Sequence, residues 1–429
     1  MQPRHRQALP QDTALSWPAI ETKARRHATI IGAGIAGASV AWLLANQGWQ
    51  VRVLDAAQPG AGGSGNAAAI LYPKLVSAEL TATHIQSLAF LRTLAVLSDP
   101  RLAPHYQASG VLWLQTRKQR VEITAEHPWW QQQVWALSAE AASKQAGIDI
   151  PLPALWLPHA GIIDPAGLLA TIFAHPDIEL LCRHEVTRIT PDGQHWQLDV
   201  RRCPADHCED ITLQAETLIV AAAGAGAELL QSRHLALKPV RGQISQLPAR
   251  LPLKTTLCYG GYLTPALQGQ HVLGATFQPG REDCSPSRED QLANWQTLTE
   301  VLPKLAQQLP MPDQHSAWKA RASLRWQTPD YLPLAGWLPW PSQHEALLST
   351  RSPSRPQPEA VQTLPTLGVS LGHGSKGFSQ AWLAADILCQ ALSADAEAHN
   401  TPAELRERLR PDRFLLKAWK RGQLRHTPA

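Results

Sequence analysis

The sequence predicts an α/β protein with an α+β insertion: a discontinuous parallel-sheet domain interrupted by a second domain built on an antiparallel sheet. Three observations predict it. A buried strand, a glycine turn and an apolar helix occupy residues 28–47. A second glycine turn before an apolar helix returns more than three hundred residues later, at Gly372–Gly377. Between them, from Val240 to Phe277, short strand-like runs recur with turn signals, the pattern of a large antiparallel sheet.

The first turn carries the most chemistry. Ala28 to Ile31 read as a buried strand, Gly32, Gly34 and Gly37 form G-x-G-x-x-G, and a helix starts at Ile35 and Ala36. A second strand, Gln50 to Leu54, ends on Asp55. Gly32 permits the tight turn, Gly34 lets the backbone approach a pyrophosphate, and Gly37 lets helix and strand pack closely. The helix start offers free N–H groups and a positive dipole end to phosphates, and Asp55 is placed to accept hydrogen bonds from a ribose. The pattern predicts a dinucleotide site, with FAD and NAD both open.

At 429 residues the chain can bury a large core, and 44% hydrophobic with 17% charged residues describes a globular protein. The almost uncharged stretch from Ala28 to Ala45 is not a membrane span, because its glycines fall where the fingerprint needs them and a charged strand follows. No signal-peptide apolar region occurs in residues 1–26. Six scattered cysteines imply no disulfide framework and suit a reducing cytoplasm. The net charge of +4 is unevenly spread: residues 1–27 carry +3, residues 404–429 carry +5, and the body between them carries −4. Basic ends suit phosphate contacts on a nucleic acid, although a solvated terminal helix reads the same way.

These signals divide the chain. Residues 1–26 read as a linker or disordered basic N-terminus. Residues 27–100, 166–235 and 336–403 form three parts of the nucleotide domain, residues 101–165 and 236–335 two parts of the substrate domain, and 404–429 a basic C-terminal tail. Ala78 to Leu97 reads as a long helix, and Pro341 to Pro365, rich in Ser, Pro, Gln and Arg, as a surface excursion. Cys203-Pro-Ala-Asp-His-Cys208 reads as a hairpin loop rather than a zinc site, because no second ligand pair lies nearby. No histidine spacing suggests a metal.

The second turn, Gly372-His-Gly374-Ser375-Lys376-Gly377 before a helix, resembles the C-terminal flavin contact of the D-amino-acid oxidase/glycine oxidase superfamily. Paired with the first fingerprint, the resemblance selects FAD, and it implies a Rossmann-like FAD-binding domain with an inserted substrate domain. A positive helix dipole at this turn would stabilise an anionic reduced flavin. Ala222 and Gly224 lie in Ala221–Gly224, which resembles the family's strand beneath the adenosine, and Val186 lies where the family places a backbone contact to adenine. The run Gly63-Ser64-Gly65-Asn66-Ala67-Ala68-Ala-Ile-Leu71-Tyr-Pro-Lys74 is similar to the FAD-dependent oxidoreductase domain of the bifunctional tRNA-modification (MnmC) family. So are Pro239–Gln243, Asp330–Gly336 and Pro411–Leu416. Two features depart from that family: its N-terminal methyltransferase domain is missing, and Gly372-His373 looks closer to the small-amine oxidases.

The resemblance implies oxidation of an N-substituted glycine, R–NH–CH2–COO⁻, on the wobble uridine of tRNA. The carboxymethyl arm of 5-carboxymethylaminomethyluridine, with or without 2-thio substitution, leaves as glyoxylate, and 5-aminomethyluridine remains. Such chemistry needs a cation for the carboxylate, and Arg325 is the first candidate, Arg241 the second. Tyr262 resembles the family's segment facing flavin and substrate, and Lys74 is a candidate cation near the flavin ring. Lys376 reads as a solvated residue at a helix start. The basic termini imply tRNA as partner, and a separate methyltransferase is a possible second one; neither metal nor membrane is implied. Two other readings stay open: an oxidase or dehydrogenase of a free small amine such as glycine, sarcosine or a D-amino acid, and a catalytically silent flavoprotein that docks a methyltransferase.

Overall fold

The computed structural model describes residues 26–75, 84–121, 128–193, 195–204, 207–312, 318–350, 365–392 and 401–424. A six-stranded sheet forms the nucleotide half. Its order across the sheet is Leu334–Pro339, Thr366–Leu371, Thr217–Val220, His27–Ile31, Gln50–Asp55 and Ile178–Cys182. All neighbours run parallel except Leu334–Pro339, which runs antiparallel to Thr366–Leu371. The central strand is apolar because both its faces are covered, as parallel sheets require. On one face lie the helices Ile35–Ala45 and Gly377–Gln390, in one core with Ile30, Val53 and Ile219. On the other lies a three-stranded antiparallel sheet of His184–Asp192, His195–Arg202 and Glu209–Ala215, sharing a core with Ile31, Leu54 and Val220.

The helix Ile35–Ala45 is buried on every side but one residue. That explains its uniform apolarity, since a helix without a polar stripe belongs in a core or a bilayer. Among the described residues no helix is long and apolar enough to cross a membrane.

The inserted half is a nine-stranded sheet centred on Lys238–Pro248, which pairs with Lys319–Gln327 on one side and Gln270–Gly274 on the other. The helix Arg288–Val301 packs against this region, with Leu298 in the same core as Leu247 and Leu273. A small sheet of Ala69–Leu71, Gly161–Ile163 and Tyr106–Gln107 joins the two halves.

Several expectations change. The C-terminal basic segment is not a free tail: helices Ala403–Leu409 and Arg413–Lys420 bury Leu405, Leu409, Leu415 and Trp419. Arg413 is committed to Asp330 at 2.8 Å and to the Leu332 and Pro333 carbonyls, and Arg410 to Asp412 at 2.9 Å. The charges misled because they occupy one face of amphipathic helices whose apolar face docks. The excursion after Trp340 begins as a helix, Pro341–Ser349, with His344 and Leu348 buried; residues 351–364 lie outside the described residues. Of the long helix at 78–97, Ile85–Val96 is helical and residues 76–83 lie outside the described residues, as does the linker over residues 1–25. Cys203 and Cys208 form a disulfide that spans the hairpin between His195–Arg202 and Glu209–Ala215. The expectation of no disulfide is corrected here: the hairpin loop expected at this run is closed by a bridge, and a bridge between sequence neighbours needs no wider framework.

Candidate active site

A cavity of about 790 Å³ runs between the two halves, from the first glycine turn to the second. At one end Gly32 has φ +109°, and a Cβ there would stand 2.7 Å from the Ala221 carbonyl oxygen. A Cβ on Gly37 would overlap the Gly32 carbonyl, so this glycine sets the approach of helix to turn and does not line the cavity. Gly34 faces Ser64, whose hydroxyl accepts the Ile35 N–H at 3.0 Å and so ties the glycine-rich loop to the helix start. Asp55 also lines this end, but its carboxylate first organises the backbone. It accepts the Ala33 N–H at 2.7 Å and the Ala57 N–H at 2.8 Å, which shapes both turns at this end of the cavity. Ile35, Ala36, Asn66, Ala68, Val186 and Ala222 are further lining residues.

Four other predicted cofactor contacts stand behind the wall. A Cβ on Gly224 would overlap the Trp326 indole, so the glycine serves packing of that ring, which itself lines the cavity. Gly65 is pressed against the Gly60 carbonyl and Arg321. Leu71 is fully buried in the small sheet, and Ala67 packs beside Ile244 and Val272.

At the other end, Gly372 and Gly374 take left-handed φ of +74° and +55°, and Gly374–Lys376 make a 3-10 turn into the helix Gly377–Gln390. Gly372, Gly374, Ser375, Lys376 and Gly377 all line the cavity. His373 shares a hydrogen bond between Nε2 and the Ser370 hydroxyl at 3.0 Å. Its Nδ1 is buried in the cavity wall without a partner among the described residues, a polar atom that a bound group would satisfy. Burial lowers its pKa to about 4, so the ring is neutral. Two glycine cradles, two helix starts facing the cavity and an orphaned imidazole nitrogen fit a long ligand with phosphates at one end and a polar ring at the other.

The cations are distributed differently from expectation. Lys74 is exposed and does not line the cavity, because it follows Pro73 beyond the end of the small sheet. Lys376, expected in solvent, is in the wall instead, with Nζ 3.2 Å from the centre of the Tyr72 ring; burial lowers its pKa to about 7. Arg241 is completely buried and closed off. It donates to Asp290, Gln278, Gln243 and the carbonyls of Asp283 and Ser285, and so has no capacity left for a substrate.

Arg325 is the opposite case. It lines the cavity beside Tyr262, donates from Nη2 to the Thr276 carbonyl at 2.8 Å, and has no carboxylate partner among the described residues. Burial lowers its pKa and the Tyr262 hydroxyl partly offsets this. Tyr262 is pushed up to about 12 by burial and so stays protonated, a donor. Arg321 was not singled out from the sequence. It reaches across to the glycine-rich loop, donating to Asn66 at 3.1 Å and to the carbonyls of Ala61 at 2.9 Å, Gly60 and Gly62. The signal was legible: Arg321 and Arg325 are four apart on a strand, so the pleat puts both on one face. Tyr72, Trp113, Cys258 and Phe277 complete the substrate-side wall. Among the described residues no group of three or more His, Cys, Asp or Glu could hold a metal.

The profile of the family described as FAD dependent oxidoreductase matches residues 27–391, which includes both glycine turns and the whole inserted sheet. The chain belongs to this family. Its cofactor is FAD, and the cavity has the cradles such a dinucleotide requires. The tRNA 5-methylaminomethyl-2-thiouridine biosynthesis bifunctional protein MnmC of Stutzerimonas stutzeri is 34% identical over 94% of the chain. The protein of the same name in Methylobacillus flagellatus is 33% identical over 91%. The chain spans about three fifths of the length of each, 61% and 59%. Among solved structures, glycine oxidase from Geobacillus kaustophilus aligns with TM-score 0.64 and 21% identity, covering 87% of this chain and 97% of that one. Iminodiacetate oxidase from Chelativorans aligns with TM-score 0.64 and 20% identity, covering 90% and 98%. These two share the fold.

Proposed function

We propose that this chain oxidises the N-carboxymethyl arm of 5-carboxymethylaminomethyluridine, or its 2-thio form, in tRNA, releasing glyoxylate and leaving the 5-aminomethyl group. The observation that carries the reading is Arg325: a partly buried guanidinium, open to the cavity and with no acid to neutralise it among the described residues, beside the Tyr262 hydroxyl. An anionic substrate group is the partner such a site lacks. FAD, when bound, supplies the acceptor for the hydride lost from the carbon next to nitrogen. The residues of the chain do the rest. Arg325 and Tyr262 fix the carboxylate, which holds the adjacent CH2 in one orientation. Lys376, with a pKa of about 7, can accept the proton that a protonated secondary amine must lose before oxidation. Loss of hydride from carbon and a proton from nitrogen leaves a C=N bond, and water divides it into primary amine and glyoxylate.

The tRNA substrate rests on the similarity to the MnmC proteins, whose name describes biosynthesis of 5-methylaminomethyl-2-thiouridine in tRNA. The cytoplasm is the compartment where such a tRNA is met. The structural likeness to glycine oxidase keeps a free small amine as the rival substrate. The test is anaerobic mixing of the FAD-loaded chain with tRNA carrying the modified uridine and, separately, with glycine and sarcosine. Bleaching of the flavin by the tRNA alone is the expected result. Bleaching by the free amines alone overturns the substrate, and bleaching by none identifies a binding module without turnover.

A further inference from the structure

The wall around Arg325 continues outward into groups that the oxidation itself does not use. Phe277 follows Thr276, the residue whose carbonyl holds Arg325, and its ring centre is 5.8 Å from the guanidinium carbon. It lines the cavity, yet 55% of it is exposed, so its ring is neither core nor fully solvated. Beside the same cavity a tight turn is held by two backbone bonds between Thr116 and Gln119, at 3.0 and 3.3 Å, and closed by Gln115 accepting the Val121 N–H at 3.0 Å. Gln119 turns inward, lines the cavity and donates to the Cys258 carbonyl at 3.4 Å. Its neighbours Arg117, Lys118 and Arg120 are exposed. Among the described residues Arg117 and Arg120 form no ion pair, and Lys118 meets Glu300 only at 3.5 Å with 90% of its side chain exposed.

From this arrangement we infer that the cavity mouth is a clamp for single-stranded RNA: Phe277 stacks on the base whose arm enters the cavity, and Arg117 and Arg120 contact the phosphates flanking it. The inference rests on the proposed oxidation of a tRNA arm. A carboxylate at Arg325 leaves only a short CH2–NH–CH2 arm before the base, which places the base by Phe277 at the mouth. Recognition of unpaired RNA characteristically combines an aromatic platform for a base with cations for its backbone. A free amino acid has no use for either, since it ends before it reaches them.

The experiment measures binding of an anticodon stem-loop RNA bearing 5-carboxymethylaminomethyluridine to the FAD-loaded full chain by fluorescence anisotropy. Phe277→Ala should weaken binding by about fivefold to a hundredfold, the value of one stacked base. The double variant Arg117→Gln/Arg120→Gln should reduce the slope of log affinity against log salt by about 1.4, two phosphate contacts at about 0.7 each. Both variants should retain wild-type FAD affinity and melting temperature, and the arginine pair is a safeguard because both side chains are exposed. Wild-type affinity and salt slope in the two variants would overturn the clamp and leave the proposed oxidation standing. Failure of the unaltered chain to bind the hairpin would overturn both.

Discussion

Arg241 and Arg325 lie on paired strands one residue apart in register, Val240 opposite Arg325 and Arg241 opposite Leu324. That single step turns them to opposite faces of the sheet. Arg241 meets an acid, two amide side chains and two carbonyls; Arg325 meets one carbonyl and a cavity. The same side chain is thus a structural staple on one face and an open anion receptor on the other. Arg241 is fully buried and Arg325 partly so, but what separates their roles is how many of their N–H groups are already satisfied.

The contrast can be broken by exchanging what each arginine loses. Arg241→Ala leaves Asp290 buried without its cation and should destabilise the chain by about 3–5 kcal/mol in urea unfolding. Arg325→Ala should instead leave stability nearly unchanged and lower kcat/KM for flavin reduction by about thirtyfold to several thousandfold, the equivalent of about 2–5 kcal/mol. If Arg325→Ala also releases FAD, its role is in the cofactor site. Arg325→Lys keeps the charge but not the planar fork, so it should recover only part of the rate.

Lys376 sharpens the comparison through pH. Burial lowers it from 10.5 to about 7, so between those values the unfolded chain binds more protons than the folded one. Stability of the FAD-free chain should therefore rise with pH across that window, and Lys376→Met should flatten the rise in unfolding measured at about pH 7 and about pH 9.5. The smallest effect belongs to a pair with one exposed member, Asp330 at 39% beside Arg413 at 13%. Arg413→Ala, which frees Asp330 at the surface of the docked C-terminal helices, should lower stability by about 1 kcal/mol.

The parts legible in the sequence are those where local geometry leaves few choices. Gly32, with its positive φ, and Gly37, against the Gly32 carbonyl, admit almost no other residue, so the first turn announced itself. The discontinuous order of the sheet followed from the distance between Gly32 and Gly372. What sequence could not separate was residues whose role depends on long-range packing. Nothing local distinguishes Arg241 from Arg325, because Asp290 arrives from a helix far along the chain. Lys74 and Lys376 were reversed for the same reason: each follows a short turn, and only the approach of Tyr72 decides which ammonium loses water. The basic helices at 403–420 looked like a tail because charge is visible in composition and a docked apolar stripe is less so.

The strand Thr366–Leu371 sits inside the nucleotide sheet, between Thr217–Val220 and Leu334–Pro339, although it is made last. During synthesis the first glycine turn therefore emerges long before its sheet has a complete edge or its cavity a far wall. At ordinary elongation rates of about 5–20 residues per second, the interval is on the order of 20–70 seconds. Over that time a nascent chain presents a phosphate cradle with nothing to close over the flavin end. The cavity can therefore close around a cofactor only once Thr366–Leu371 and the turn after it have been made.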